Sequence, residues 1–242
     1  MKTAIVTGVS RGLGESLAAM LLERGYAVTG VGRASSAKLG GEDYRFVPLD
    51  LADAPAIEDA LKPVFLDIAQ SRPESVCLIN NAAAAGPVGI LGTLEDAQVQ
   101  RSLAVNLFAP IAISNLFCRI FSNSSLERRI INVSSGAAQN ALVGGGPYSV
   151  AKAGLEMLTK QLVAEHREPT FIAITIRPGI IDTGMQVFMR EQPRDVLPSV
   201  DLFRGFHQSG QLVSADVVAR KIVGKLVEAA VENGRVYAYK EL

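Results

Sequence analysis

Thr7-Gly8-Val9-Ser10-Arg11-Gly12-Leu13-Gly14 puts three glycines within seven residues, directly after the β-branched run Thr3–Thr7 and before an apolar helical pattern that stops near Gly25. Glycines between a strand and a helix let backbone pass close to a ligand, and the free N–H groups opening the helix favour a phosphate. The turn therefore predicts a nucleotide-binding βα unit, with Gly8, Ser10, Arg11, Gly12, Leu13 and Gly14 at the cofactor.

Outward from that turn the same alternation repeats. Short β-branched runs at 27–31, 45–47, 75–79, 129–133 and 171–176 alternate with helical patterns at 53–70, 94–120, 148–166 and 215–232, before a last apolar run at 235–239. Such alternation builds βαβ units and a parallel sheet. The expected fold is α/β: a Rossmann-like doubly wound parallel sheet of about seven strands with helices on both faces, as a single domain over 1–242. Pro110 makes an uninterrupted helix over 94–120 doubtful on steric grounds, so a long helix and a broken pair both stand.

Composition narrows the function classes. The 242 residues carry 24 Lys plus Arg and 24 Asp plus Glu, so no basic excess draws nucleic acid or an anionic membrane. No charge occurs between Arg101 and Arg119, but the stretch is short for a bilayer crossing and holds Asn106, Pro110, Ser114 and Asn115. It reads as a buried or subunit-facing helix rather than a membrane span. Cys77 and Cys118 have no metal-ligand spacing; they read as buried free thiols of a reducing compartment, the cytoplasm, with no metal site. The N-terminus lacks the hydrophobic core and cleavage site of a secretory signal.

The cofactor can be read more finely. Folds that prefer NAD place an acid after the second strand, where it bonds the ribose 2′-hydroxyl. Here the chain runs Val31-Gly32-Arg33-Ala34-Ser35-Ser36, with no acid. Arg33, with Arg11 as a second cation, suits a 2′-phosphate, which points to NADP(H).

A second constellation lies past the middle, at Gly144-Gly145-Gly146-Pro147-Tyr148-Ser149-Val150-Ala151-Lys152. Positions i and i+4 share one helix face, so the Tyr148 phenol and the Lys152 ammonium can share a pocket. A neighbouring cation favours phenolate, and a phenol tuned that way serves as general acid or base.

With these motifs in order, TGVSRGLG at 7–14, Asp50-Leu51, NNA at 80–82, Asn106, SS at 134–135, YSVAK at 148–152 and RPGIIDT at 177–183, the chain resembles the short-chain dehydrogenase/reductase family along nearly its whole length. The resemblance implies that Tyr148 protonates a substrate carbonyl, that Lys152 lowers its pKa and holds the nicotinamide ribose, and that Ser135 bonds the same carbonyl. It also implies that Asn106 supports a water relay. Asp50 and Leu51 would meet adenine, Asn80, Asn81 and Ala82 would line the cofactor, and Pro178, Gly179, Ile181 and Thr183 would lie at the nicotinamide. Where the family has NNAG, this chain has Ala83; a positive φ there would cost about 1 kcal/mol.

RPGIIDTGMQ and the C-terminal NGRVYAYKEL resemble the branch that contains sepiapterin reductase and the bacterial benzil reductases. The acids that hold the pterin near the C-terminus of sepiapterin reductases find no match at Lys240 and Glu241, so a small-molecule diketone of the benzil type is the first expectation. A 3-oxoacyl-carrier-protein reductase and a non-catalytic NADP(H) sensor remain as alternatives. The irregular stretch 179–214 reads as the substrate-covering segment, with Met185, Phe188 and Met189 as apolar substrate contacts. The resemblance further implies a homodimer or homotetramer joined through the regions of 94–120 and 148–166.

Overall fold

The computed structural model describes residues 1–242. Seven strands, β1 (Lys2–Thr7), β2 (Ala27–Gly32), β3 (Tyr44–Pro48), β4 (Ser75–Asn80), β5 (Glu127–Val133), β6 (Phe171–Arg177) and β9 (Val236–Ala238), make one sheet. Its order is β3-β2-β1-β4-β5-β6-β9 and every pairing is parallel. The crossovers supply α1 (Gly12–Glu23), α2 (Ala54–Gln70), α3 (Asp96–Leu103), α4 (Ala109–Ile120), α5 (Gly146–Glu165) and α8 (Ala215–Ile222). A two-stranded annex, β7 (Ile181–Asp182) with β8 (Val213–Ser214), brackets α6 (Gly184–Arg190) and α7 (Val200–Gln208).

Alternation along the strands sorts the core. On β1, Ala4 and Val6 enter one cluster with α1 and α8, while Ile5 enters the other with α2 and α4. Both faces of the sheet are therefore covered, which is why the central strands are apolar nearly throughout. Strand order reverses between β1 and β4, and ligands of open α/β sheets bind at the carboxyl ends of the strands beside such a point.

Four expectations change in detail. Asp96–Ile120 is one continuous helical run of 25 residues. A wide turn over Ala104–Phe108 absorbs the ring of Pro110 instead of breaking the helix, as such bulges do. By length and mean hydropathy, 1.6 over its most apolar window, the run is long and apolar enough to cross a membrane; here it packs against α2 and α5. The last helix ends at Val227, not at 232. The Arg129 guanidinium collects its terminal carbonyls, donating to Leu226, to Val227 at 2.7 Å and to Ala229 at 3.2 Å. Ala83 has no positive φ, so the backbone penalty considered for it does not arise. Cys77 is buried as expected, but Cys118 is only partly so; burial pushes their thiols up to about 12 and about 11.

Candidate active site

The glycine turn is held by contacts that leave no room for a side chain. A Cβ on Gly14 would stand 2.1 Å from the Gly8 carbonyl oxygen and 2.4 Å from Asn81 Nδ2. Gly8 has φ +78° and touches the Ala82 backbone at 2.8 Å from its own missing Cβ. Thr7 Oγ1 accepts the N–H groups of Asn81 and Ala82, both at 3.0 Å, and Asn81 Nδ2 donates to the Thr7 carbonyl at 2.8 Å. The first and fourth strands are thus laced together where the order reverses. Arg11, the cap residue of α1, makes no side-chain cap, which leaves first-turn N–H donors for an anion.

Around this cradle the expected cofactor residues converge. Asp50 accepts the Ala52 N–H at 3.0 Å and pairs with Arg101 at 2.6 Å; the Ala52 bond, with Arg101 and Arg33 adding to it, holds its carboxyl below the usual range. Leu51 is buried and Arg33 exposed. Thr183 lies next to the turn, its Cγ2 3.2 Å from where a Gly12 Cβ would stand. Arg11 lies against Gly184 at the start of α6, while Arg33 adds a weaker positive field at the Asp50 carboxylate that Arg101 pairs with. Tyr239 braces Gly179, which follows buried Pro178, and Ile181 pairs with Val213 in the annex.

The candidate proton-transfer groups come from α5 and the end of β5. Tyr148 and Lys152 are buried on one face of α5, the ammonium 5.6 Å from the phenol ring centroid. Lys152 Nζ donates to the Val133 carbonyl at 2.8 Å. Asn106, wholly buried in the wide turn of the long helix, exchanges two 2.9 Å bonds with the Ala84 backbone. Ser135 caps the short 3-10 turn that follows β5.

Electrostatics depart from the expectation that Lys152 lowers Tyr148. Burial pushes the phenol up to about 12, opposed only by the neighbouring Ser135 hydroxyl. Burial likewise lowers the Lys152 ammonium to about 8. In a site this enclosed, desolvation outweighs the attraction between the two side chains.

Of the expected substrate contacts, Met185 is half-buried and the exposed ring of Phe188 reaches over Gly86. Met189 is buried with Leu197 and Val200 in a small core that Ala85 and Val88 pack against. Sequence reasoning gave no site role to Thr7, Arg101 or Ser134, which bond Asn81 and Ala82, Asp50, and the Lys152 carbonyl, nor to Glu156 and Arg177, which pair with each other beside Ser134.

The family profile described as short chain dehydrogenase matches residues 2–194. Over 243 residues the chain is 31% identical to the benzil reductase ((S)-benzoin forming) of Bacillus subtilis (strain 168), covering all of this chain and 99% of that one. It is 30% identical over 247 residues to the sepiapterin reductase of Meriones unguiculatus, with 95% and 93% covered. Among solved structures, that of the KRED1-Pglu enzyme superposes with a TM-score of 0.85 at 26% identity, over 98% of this chain and 100% of the other. With its glycine turn, its parallel sheet and its Tyr148–Lys152 pair, the chain belongs to the short-chain dehydrogenase family of oxidoreductases.

Proposed function

We propose that the protein is an NADPH-dependent carbonyl reductase acting on a vicinal diketone of the benzil type. The observation that carries this reading is the burial of Tyr148 and Lys152 side by side at the carboxyl ends of the strands, next to a glycine turn that no side chain can fill. The residues present fit a dinucleotide: Gly8, Gly12 and Gly14 free the backbone for a pyrophosphate, and Arg33 stands where NAD-preferring folds have an acid. A bound NADPH supplies the hydride.

The protein's own part is proton supply and orientation. A phenol raised to about 12 is protonated throughout the neutral range, the state required of a donor to a carbonyl oxygen. Ser135 donates a hydrogen bond to the same oxygen. Lys152, with a pKa of about 8, is still largely cationic at neutral pH and stabilises the phenolate left behind. An intact set of Asn106, Ser135, Tyr148 and Lys152 has no use in a pure sensor. The similarity to benzil reductases over the full chain favours a diketone over an acyl-carrier substrate.

The reading extends to assembly. Phe108 and Ile111 on the long helix, and Val150 and Met157 on α5, are 47, 40, 63 and 59% exposed. A homodimer or homotetramer joined through these neighbouring helices covers them; a monomer mass in light scattering would remove this part of the proposal.

Loss of NADPH absorbance with benzil, run beside NADH and beside Tyr148→Phe, tests the chemistry. We expect turnover with NADPH, little with NADH, and a fall of about 10^2 to 10^4 in kcat for the variant. Tight NADPH binding without turnover on any ketone in a panel would sink it.

A further inference from the structure

Glu156 sits one turn beyond Lys152 on α5 and touches neither Tyr148 nor Lys152 through its carboxylate. It accepts instead from the ends of two strands. Ser134 Oγ donates to Oε1 at 2.9 Å, Arg177 Nε to Oε1 at 2.7 Å, and Arg177 Nη2 to Oε2 at 2.6 Å. Ser134 also lies 3.3 Å from the Lys152 carbonyl. The side chains of Glu156 and Arg177 are only 14 and 18% exposed. Solvent therefore screens this pair less than a surface one, and its two-pronged geometry fixes direction as well as distance.

The location matters more than the strength. The β5–β6 register ends at Val133–Ile176, with a last bond from the Ser134 N–H to the Ile176 carbonyl. The next residues are those the site needs: Ser135 after β5, and Pro178-Gly179 after β6. Deeper on α5, Thr159 bonds Asn132 and Thr175 within the ladder; past its end, the Glu156 carboxylate links Ser134 and Arg177 to the helix carrying Tyr148 and Lys152.

We propose that Glu156, with Ser134 and Arg177, is a positioning clamp that sets Ser135 and the Pro178-Gly179 turn relative to the Tyr148–Lys152 face. The proposal rests on the reductase reading of Tyr148 and Lys152. It makes Glu156 and Arg177 determinants of turnover without contact to substrate.

Four variants test it: Glu156→Gln, Arg177→Gln, the two together, and Ser134→Ala. Each of the two single clamp variants is expected to lower kcat about tenfold or more, with KM for the ketone within about twofold, because a small misplacement costs rate before it costs binding. The double variant should be no slower than the worse single one, as expected of groups acting as one unit. Hydrogen exchange should quicken together at 133–137, 148–153 and 177–180 in Glu156→Gln. A kcat within about twofold of the parent in all variants, with lowered melting temperature only, would reduce the network to a structural role and overturn the proposal.

If Glu156→Gln does not fold, Ser134→Ala keeps the ion pair and removes one link; a fall of about threefold in kcat with faster exchange at 133–137 supports the clamp, and no change in either overturns it. If the parent protein reduces no ketone, the reductase reading fails. Exchange then decides alone: concerted loss of protection in the three segments upholds the clamp, and loss confined to α5 defeats it.

Discussion

The glycine turn and the covering segment meet at Thr183, yet they are built in opposite ways. Around the turn, backbone meets backbone: Gly14 against Gly8, Gly8 against Ala82, Thr7 bonded to Asn81 and Ala82. The stretch 184–208, within the 179–214 segment expected to cover the substrate, packs around three buried residues, Met189, Leu197 and Val200, with Ala85 and Val88 of the loop after β4 against them. A cavity of about 370 Å³ lies between this stretch and the loop carrying Val88 and Glu95 with the first turn of α3 at Gln98, and Asp195 and Val196 line the segment's side. Positions with no slack suit a cofactor shared across a family; a lightly seated flap suits a substrate that differs between its members.

The largest effect that could break this contrast comes from one methyl group at the turn. Ala for Gly inside a helix ordinarily stabilises by about 1 kcal/mol. At Gly14 the new Cβ would meet the Gly8 carbonyl at 2.1 Å, so the sign should reverse. We expect Gly14→Ala to lose about 2 to 4 kcal/mol of stability and to weaken NADPH binding roughly a hundredfold. Thermal melting and a fluorescence titration measure the two. A stable variant with unchanged affinity would mean that the turn has the slack we deny it.

Lys152 shows the strain of the rigid half from another side. Its folded pKa of about 8 lies below its unfolded value of 10.5. Holding the cation at pH 7 costs on the order of 3 kcal/mol, at about 1.4 kcal/mol for each tenfold change in proton affinity. That cost is fully present below about pH 8 and disappears as pH rises to 10.5, where the unfolded chain also loses the proton. Lys152→Met should therefore abolish reduction yet gain about 1 to 2 kcal/mol at pH 7, after losing the bond to the Val133 carbonyl. The gain should shrink between pH 8 and 10.5 in denaturant titrations. A variant less stable than the parent at pH 7 would show that burial is not what sets the lysine.

How far these regions were legible in the sequence follows from the same contrast. The turn could be read because each of its needs is met by one residue type at one spacing, and Tyr148 and Lys152 because i and i+4 fix them on one face. Met189 could not be placed: an apolar residue in an irregular stretch carries no period to say whether it faces ligand or core. Glu156 and Arg177 were passed over because a charged helix residue and an arginine before proline look like solvated surface until the two are seen 2.6 Å apart. The early end of the last helix was hidden likewise, since Arg129, which donates to its terminal carbonyls, lies about a hundred residues away in sequence.

Met189 tests whether the covering segment is an independent unit. Met189→Ala removes most of a buried side chain from a core of three, so local opening should become easier by about 2 kcal/mol. Cleavage by a protease within 184–208 should then accelerate about thirtyfold, while the global melting temperature moves by less than about 2 °C. A global fall of about 6 °C with no faster cleavage would place the segment in the same cooperative unit as the sheet.

The smallest effect is the mirror of the first. Gly205 lies inside α7, its φ is not positive, and a Cβ added there would meet nothing within 4 Å. With no contact to oppose it, the backbone entropy saved in the unfolded chain decides the sign, so Gly205→Ala should stabilise α7 by about 0.5 to 1 kcal/mol. Because α7 belongs to the covering segment, the gain should appear as slower proteolysis of 184–208 and as a small change in the KM for ketone, with NADPH affinity untouched. The same substitution would thus carry opposite signs on two helices of one chain, α1 and α7, because a Cβ meets backbone at Gly14 and nothing within 4 Å at Gly205. If Gly205→Ala also weakened NADPH binding, the covering segment would be coupled to the glycine turn more tightly than its separate core allows.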